Sequence, residues 1–367
     1  MVASNAGMLA SKLSHAAPDR LDRSARDARR VRSGAVPARV EAAVHPVAIL
    51  AAVAAGAGLL TWFAAGRSKR LGPAPHHGRQ VMPEGTRCYR TRGAEVTASA
   101  AQRLNHASSM LAASVLFDSS LEHYRGQFFN RAMYTPIVVS SITLASSLHG
   151  AGDTDPGRSH VRHAAQALAG LTGLVGFGFH AYNVGKREGG YSFQNLFYAA
   201  PIGAPMALTL AGVLGVAAER VRDADPDWPE LAGLPAGRLL VLATAGMLVG
   251  TTFEAGLLHF RGAFQNPAMF APVTLPPLAA AVLAVASMKE AGASQVTAKW
   301  AMLAVSAMGV AGVAFHAYGV ARMMGGWGNW RQNLIDGPPL PAPPSFSGVA
   351  LGGLAALELL ERRRLRA

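Results

Sequence analysis

Asp118, His123, Arg125, Gly126, Phe128, Asn130, Met133 and Pro136 recur 136 positions on as Glu254, His259, Arg261, Gly262, Phe264, Asn266, Met269 and Pro272. An acid, an imidazole and a guanidinium held twice in one register can bind a polar ligand and exchange protons with it. Both acids stand inside apolar stretches, where an ionisable group is costly and functional by default. Each acid precedes its histidine by five residues, which on a helix separates them by about 140°. The two therefore form no local ligand pair, and each needs partners from other helices.

A second constellation keeps the same offset. Gly173, Gly176 and His180 become Gly309, Gly312 and His316. Spacings of three and four put each trio on one helix face, and small residues there let helices approach closely. The histidine ending such a ridge points into the bundle. The glycines would also leave room for a flat macrocycle, so a b-type haem ligated by histidine is one candidate ligand and a quinone the other. A third motif, Gly189, Gly190, Tyr191, Gln194, Asn195, Pro201 and Pro205, returns as Gly325, Gly326, Trp327, Gln332, Asn333, Pro339 and Pro343, with two residues inserted. Paired glycines and prolines at membrane level can interrupt a helix and expose backbone to a ligand, or simply form a turn.

The candidate cofactor-binding set is thus His123, His180, His259, His316, Asp118, Glu254, Arg125, Arg261, Asn130 and Asn266. A plainer account competes for part of it. Gly and Asn suit a tight interhelical turn, Arg suits a headgroup belt, and the glycine ridges suit packing alone. His76, His77, His149, His160 and His163 have no repeated histidine and are read as loop residues.

Apolar runs must position these residues. Half of the 367 residues are hydrophobic and only 15% are charged, with a mean hydropathy of +0.22, a balance that excludes an ordinary soluble domain. The pattern predicts an all-α integral membrane protein with nine spans, because lipid-exposed backbone must satisfy its own hydrogen bonds. The expected organisation is a basic tail over 1–43, an extra transmembrane helix over 44–66 and a basic loop over 67–103. A four-helix repeat over 104–218 follows, then a polar linker over 219–238, a second four-helix repeat over 239–361 and a basic end over 362–367. Two blocks sharing one offset indicate a duplicated unit. With an even number of spans per unit, the copies would run parallel and present their motifs to one compartment.

The net charge of +13 does not imply nucleic acid. The arginines cluster in tails and loops beside apolar runs, where they orient the chain and meet anionic lipid, and no nucleic-acid motif accompanies them. The face opposite the motifs is richer in cations, which makes it cytoplasmic under the positive-inside rule. The basic N-terminal tail conflicts with that orientation if the first run crosses. Cys88 is the single cysteine and allows no internal disulfide or CxxC site. A P-loop, an HExxH helix and a GxSxG elbow are all missing, so the sequence assigns no catalytic residue.

Three functions fit these features. The first is a redox-associated membrane subunit binding a quinone or haem near one face of a bacterial inner membrane, alongside a redox partner subunit. The second is a secondary transporter with its site at the repeat interface, and the third a structural or assembly protein. The two-bundle layout with a polar site at one face resembles in outline the NrfD-type quinol-handling membrane anchors. That likeness is one of layout, with no motif matched residue by residue, and it implies quinol handling.

Overall fold

The structure, a computed structural model, describes residues 84–153, 157, 159–288 and 292–364. The expected tail over 1–43 and extra span over 44–66 lie outside the described residues. What is described is helical apart from turns and one two-residue hairpin.

Helix α1 (Glu84–Arg125) leads into a 3-10 turn at Arg131–Tyr134, then α2 (Thr135–Ala151) and α3 (His160–Gly185). Short α4 (Phe193–Tyr198) precedes α5 (Met206–Arg222), and strands Glu230–Leu231 and Leu234–Pro235 make a small antiparallel hairpin. Beyond it come α6 (Ala236–Arg261), a 3-10 turn at Pro267–Phe270, α7 (Ala271–Met288) and α8 (Ala293–Ala321). The chain then makes a 3-10 turn at Gly326–Asn329, short α9 (Trp330–Asp336) and α10 (Pro344–Arg364).

In the first quartet, α1 packs on α2 and α5, and α3 on α2 and α5. In the second, α6 packs on α7 and α10, and α8 on α7 and α10. The quartets meet mainly through α1 against α10. Leu104, Leu111, Leu214, Leu248, Leu283, Met302, Val349 and Leu359 belong to one fully buried cluster that runs through both.

Three described helices are long and apolar enough to cross a membrane: Ala236–Arg261, Pro267–Met288 with its leading turn, and Ala293–Ala321. Their outward faces expose Leu242, Phe253, Leu278, Val310 and Phe315, an apolar surface that water would penalise and lipid would not. The chain is thus an all-α protein in which three of the described helices, not the nine spans expected, are long and apolar enough to cross a membrane. Helices α2 and α5 have 17 residues each, about 25 Å of rise, short of the bilayer's apolar core of about 30 Å. The end of the first expected repeat is broken between α4 and α5, where Pro201 and Pro205 interrupt the helix, and Pro339 and Pro343 do the same between α9 and α10.

The loop expected over 67–103 is corrected from residue 84 onward, where the chain is already helical. Helix-forming Arg, Glu, Gln and Ala carry this extension without a continuous apolar run, so hydropathy does not reveal it. Ala100 and Ala101 are buried in the core, and Arg103 pairs with Glu358 of α10 at 3.4 Å.

Candidate functional site

The motif residues gather at one end of the helix assembly. His123 lies in the last turn of α1, and its Nδ1 donates to the Met133 carbonyl at 2.5 Å. His259, ending α6, bonds Met269 O in the same way at 2.9 Å. His180 Nδ1 donates to Pro201 O at 2.5 Å, and His316 Nδ1 to Pro339 O at 2.6 Å, which ties α3 and α8 to the breaks before α5 and α10. A carbonyl can only accept, so each Nδ1 carries the hydrogen, and in the neutral imidazole each Nε2 keeps its lone pair. An imidazole fixed through Nδ1–H to a backbone carbonyl presents Nε2 in a set direction, as ligand-binding histidines do. His123 and His180 are near enough for their charges to interact, and so are His259 and His316.

The turns after α1 and α6 are strained alike. Gln127 and Phe128 have φ of 57° and 46°, and Ala263 and Phe264 have 55° and 47°. Non-glycine residues held there cost about 1 kcal/mol or more each and persist where surroundings over-determine them. The surroundings here are the histidine–carbonyl bonds and the stacking of Phe128 on Tyr134 and Phe264 on Phe270, with centroids 4.4 and 4.6 Å apart. Asn130 and Asn266 accept from Ala132 N and Ala268 N, each at 2.9 Å, and so cap the 3-10 turns. Their side chains shape the turn that carries the histidine partner.

The acids occupy the seam between quartets. Asp118 on α1 and Glu254 on α6 are close enough to interact electrostatically. Glu254 accepts from the backbone N–H of Gly203, while its Oε1 is buried without a hydrogen bond among the described residues. The position matching Gly203 is Pro341, which has no N–H to offer Asp118. Ser114 instead donates to the Pro341 carbonyl at 2.5 Å. The two acids are thus alike in place and different in partner.

The arginines do something the sequence does not disclose. Arg125 donates to the carbonyls of Ile335 and Gly337 at the end of α9 in the second quartet. Arg261 donates to those of Phe197 and Ala199 at the end of α4 in the first. Each cation completes a helix C-terminus, where carbonyls lack internal partners and the dipole favours positive charge. The exchange is reciprocal, and it puts all four helix ends on one side of the molecule. Nothing local marks the carbonyl partners, which are some 60 and 210 residues away in sequence.

The glycine ridges are filled. A Cβ on Gly176 would stand 2.9 Å from Pro205 Cβ, and one on Gly312 2.7 Å from Pro343 Cβ, while Gly173 faces Thr209 and Gly309 faces Ser347. Packing by α5 and α10 thus occupies the space that a macrocycle along these ridges would need. Among the described residues, no three His, Cys, Asp or Glu side chains converge as a metal-ligand set. Exposed rings flank the histidines instead: Phe117, Phe179 and Tyr182 in the first quartet, and Phe253, Phe315 and Tyr318 in the second. No family model, curated protein or solved structure matches the chain.

Proposed function

We propose that this chain is a redox-associated subunit of a cell membrane that holds a quinone headgroup at its histidine-bearing end. The observation that carries the reading is the set of four imidazoles, each anchored through Nδ1 to a carbonyl and offering Nε2 beside apolar helices. Quinol oxidation or quinone reduction moves two electrons together with two protons. An Nε2 lone pair can accept a hydrogen bond from a quinol hydroxyl, and Asp118 and Glu254 provide carboxylates within the same end of the assembly. The exposed rings beside each histidine pair suit entry from the lipid. A quinone fits better than a haem because Pro205 and Pro343 already fill the ridges. The reading also includes origin of the quartets by duplication of one four-helix unit, supported by the shared offset and the shared packing order.

The test is chemical. Protein purified in mild detergent is extracted and its quinones quantified, and an absorption spectrum is recorded on the same sample. About one bound quinone per occupied site is expected, lost in His123→Ala/His180→Ala or His259→Ala/His316→Ala. A Soret band without quinone would transfer the site to haem, and neither ligand would end the redox reading. The transporter reading draws on the helix breaks at 199–205 and 337–343, where Glu254 meets Gly203. Solute uptake into proteoliposomes lost on Glu254→Gln would favour it.

A further inference from the structure

The first quartet has a buried polar column that the second lacks. At the end away from the histidines, Arg162 Nε and Arg222 Nη1 both bond Glu219 Oε2, at 2.9 and 2.8 Å. Arg162 also pairs with Asp153 at 2.8 Å and reaches His149 Nδ1 at 3.0 Å, and Arg222 donates to Gly150 O at 2.7 Å. Arg162, Glu219 and Arg222 are each no more than 6% exposed, whereas His149 opens to the surface. Further in, Asn105 sits against Gly150. Gln166 then donates to Ser147 Oγ at 2.8 Å, Ser147 and Ser108 share a bond of 2.8 Å, and Ser108 donates to Ala211 O. Thr143 and Ser140 continue the buried polar lining along α2.

The matching positions of the second quartet are mostly apolar, although Ser108 keeps a buried hydroxyl as Thr244. Arg162, Glu219 and Arg222 become Ala298, Leu357 and Leu360; Asn105, Ser147 and Gln166 become Val241, Leu283 and Met302. Gln166 lies against Gly215 as Met302 lies against Gly353, so the two side chains occupy equivalent places. The second quartet packs its helices in the same order without the column. The polar groups are therefore dispensable for that packing, and burying them is costly. Two acceptors in the column, Asn105 Oδ1 and Glu219 Oε1, receive no hydrogen bond from the described residues. Buried acceptors of this kind are places where a water can bind.

We infer that the first quartet carries protons between its far end and the His123–His180 end, and that the second quartet does not. The column supplies entry at His149 and the Arg162–Glu219–Arg222 cluster, and hydroxyls and acceptors open to water to the level of Ser108. Ser108 and Asp118 are ten residues apart on α1, about 15 Å. Between those levels Val115, Val139, Ala169 and Leu208 form a separate apolar layer. This layer makes the path gated, not open. One proton taken from water at the far end is matched by one delivered at the histidine end, so no proton accumulates in the column. The delivery point rests on the proposed quinone site, but the conduction does not.

Full-length protein in liposomes with an entrapped pH dye, under a potassium diffusion potential set by valinomycin, reads the flux. Wild type is expected to conduct slowly. Leu208→Ser, and independently Ala169→Ser, should raise the rate at least tenfold by wetting the apolar layer. Adding Gln166→Met, which copies the second quartet, should return either variant to the wild-type rate. Phe346→Ser, at the position matching Leu208, should leave flux unchanged. Equal conduction with and without Gln166→Met, a Phe346→Ser variant as leaky as Leu208→Ser, or no gain in both layer variants would overturn the inference. Quinone content measured on the same preparations separates this outcome from failure of the quinone site.

Discussion

At the scale of residues, Arg261 shows how a side chain's role depends on a segment far away in sequence. Its guanidinium forms two charge-assisted bonds to the carbonyls that end α4. Arg261→Met should lower stability by about 2–4 kcal/mol, given about 1.5–3 kcal/mol for a bond to a charged group. Thermal unfolding in detergent measures this, and Arg261→Lys should recover less than half, because an ammonium cannot fork between two carbonyls. Arg125→Met should cost less, since Arg125 is more exposed. The histidines, acids and arginines stood out together in the sequence because they recur at one offset of 136 positions. The sequence offered Arg125 and Arg261 as cofactor-binding residues or headgroup contacts and not as partners of backbone carbonyls, because a carbonyl partner has no side-chain signature. His149, read as a loop residue, ends α2 and touches Arg162. The column it belongs to leaves no recurring pattern in the sequence, because the matching positions of the second quartet are mostly apolar.

At the scale of elements, the glycine ridges set how near α3 and α5 come. Gly176→Ala should destabilise by about 1–3 kcal/mol, as overpacking of a tight contact does. Gly178→Ala, whose Cβ would meet nothing within 4 Å, should stabilise by about 0.5–1 kcal/mol through lost backbone freedom in the unfolded chain. Unfolding midpoints of the two variants, shifted in opposite directions, would confirm the ridge as packing. Equal shifts would show that the face is slack. Helix positions over α6, α7 and α8 were legible from long apolar runs with a turn at each end. The first twenty residues of α1 were not, since the contacts described there, buried Ala100 and Ala101 and the Arg103–Glu358 pair, leave no hydrophobic stretch to find. The breaks before α5 and α10 were visible as prolines, though not their role as acceptors for His180 and His316.

At the scale of the whole molecule, the reciprocal bonds put the turns after α1 and α6 on one side. With Cys88 first replaced by Ser, cysteines placed at Gln127 and Ala263 should react with an impermeant maleimide from the same side of sealed vesicles. A cysteine at Trp228, beside the hairpin, should react only from the other. Labelling of Gln127→Cys and Ala263→Cys from opposite sides would refute a parallel arrangement of the quartets. Under the proposed duplication, that arrangement has a historical corollary. Each quartet's arginine closes a helix that belongs to the other, so a lone quartet would leave both its cation and its carbonyls unmet. A single-copy forebear would have needed a second molecule of itself, joined by the two-fold swap of an isologous homodimer. Fusing the two genes would then have freed one half to acquire a charged interior that symmetry had until then imposed on both or neither.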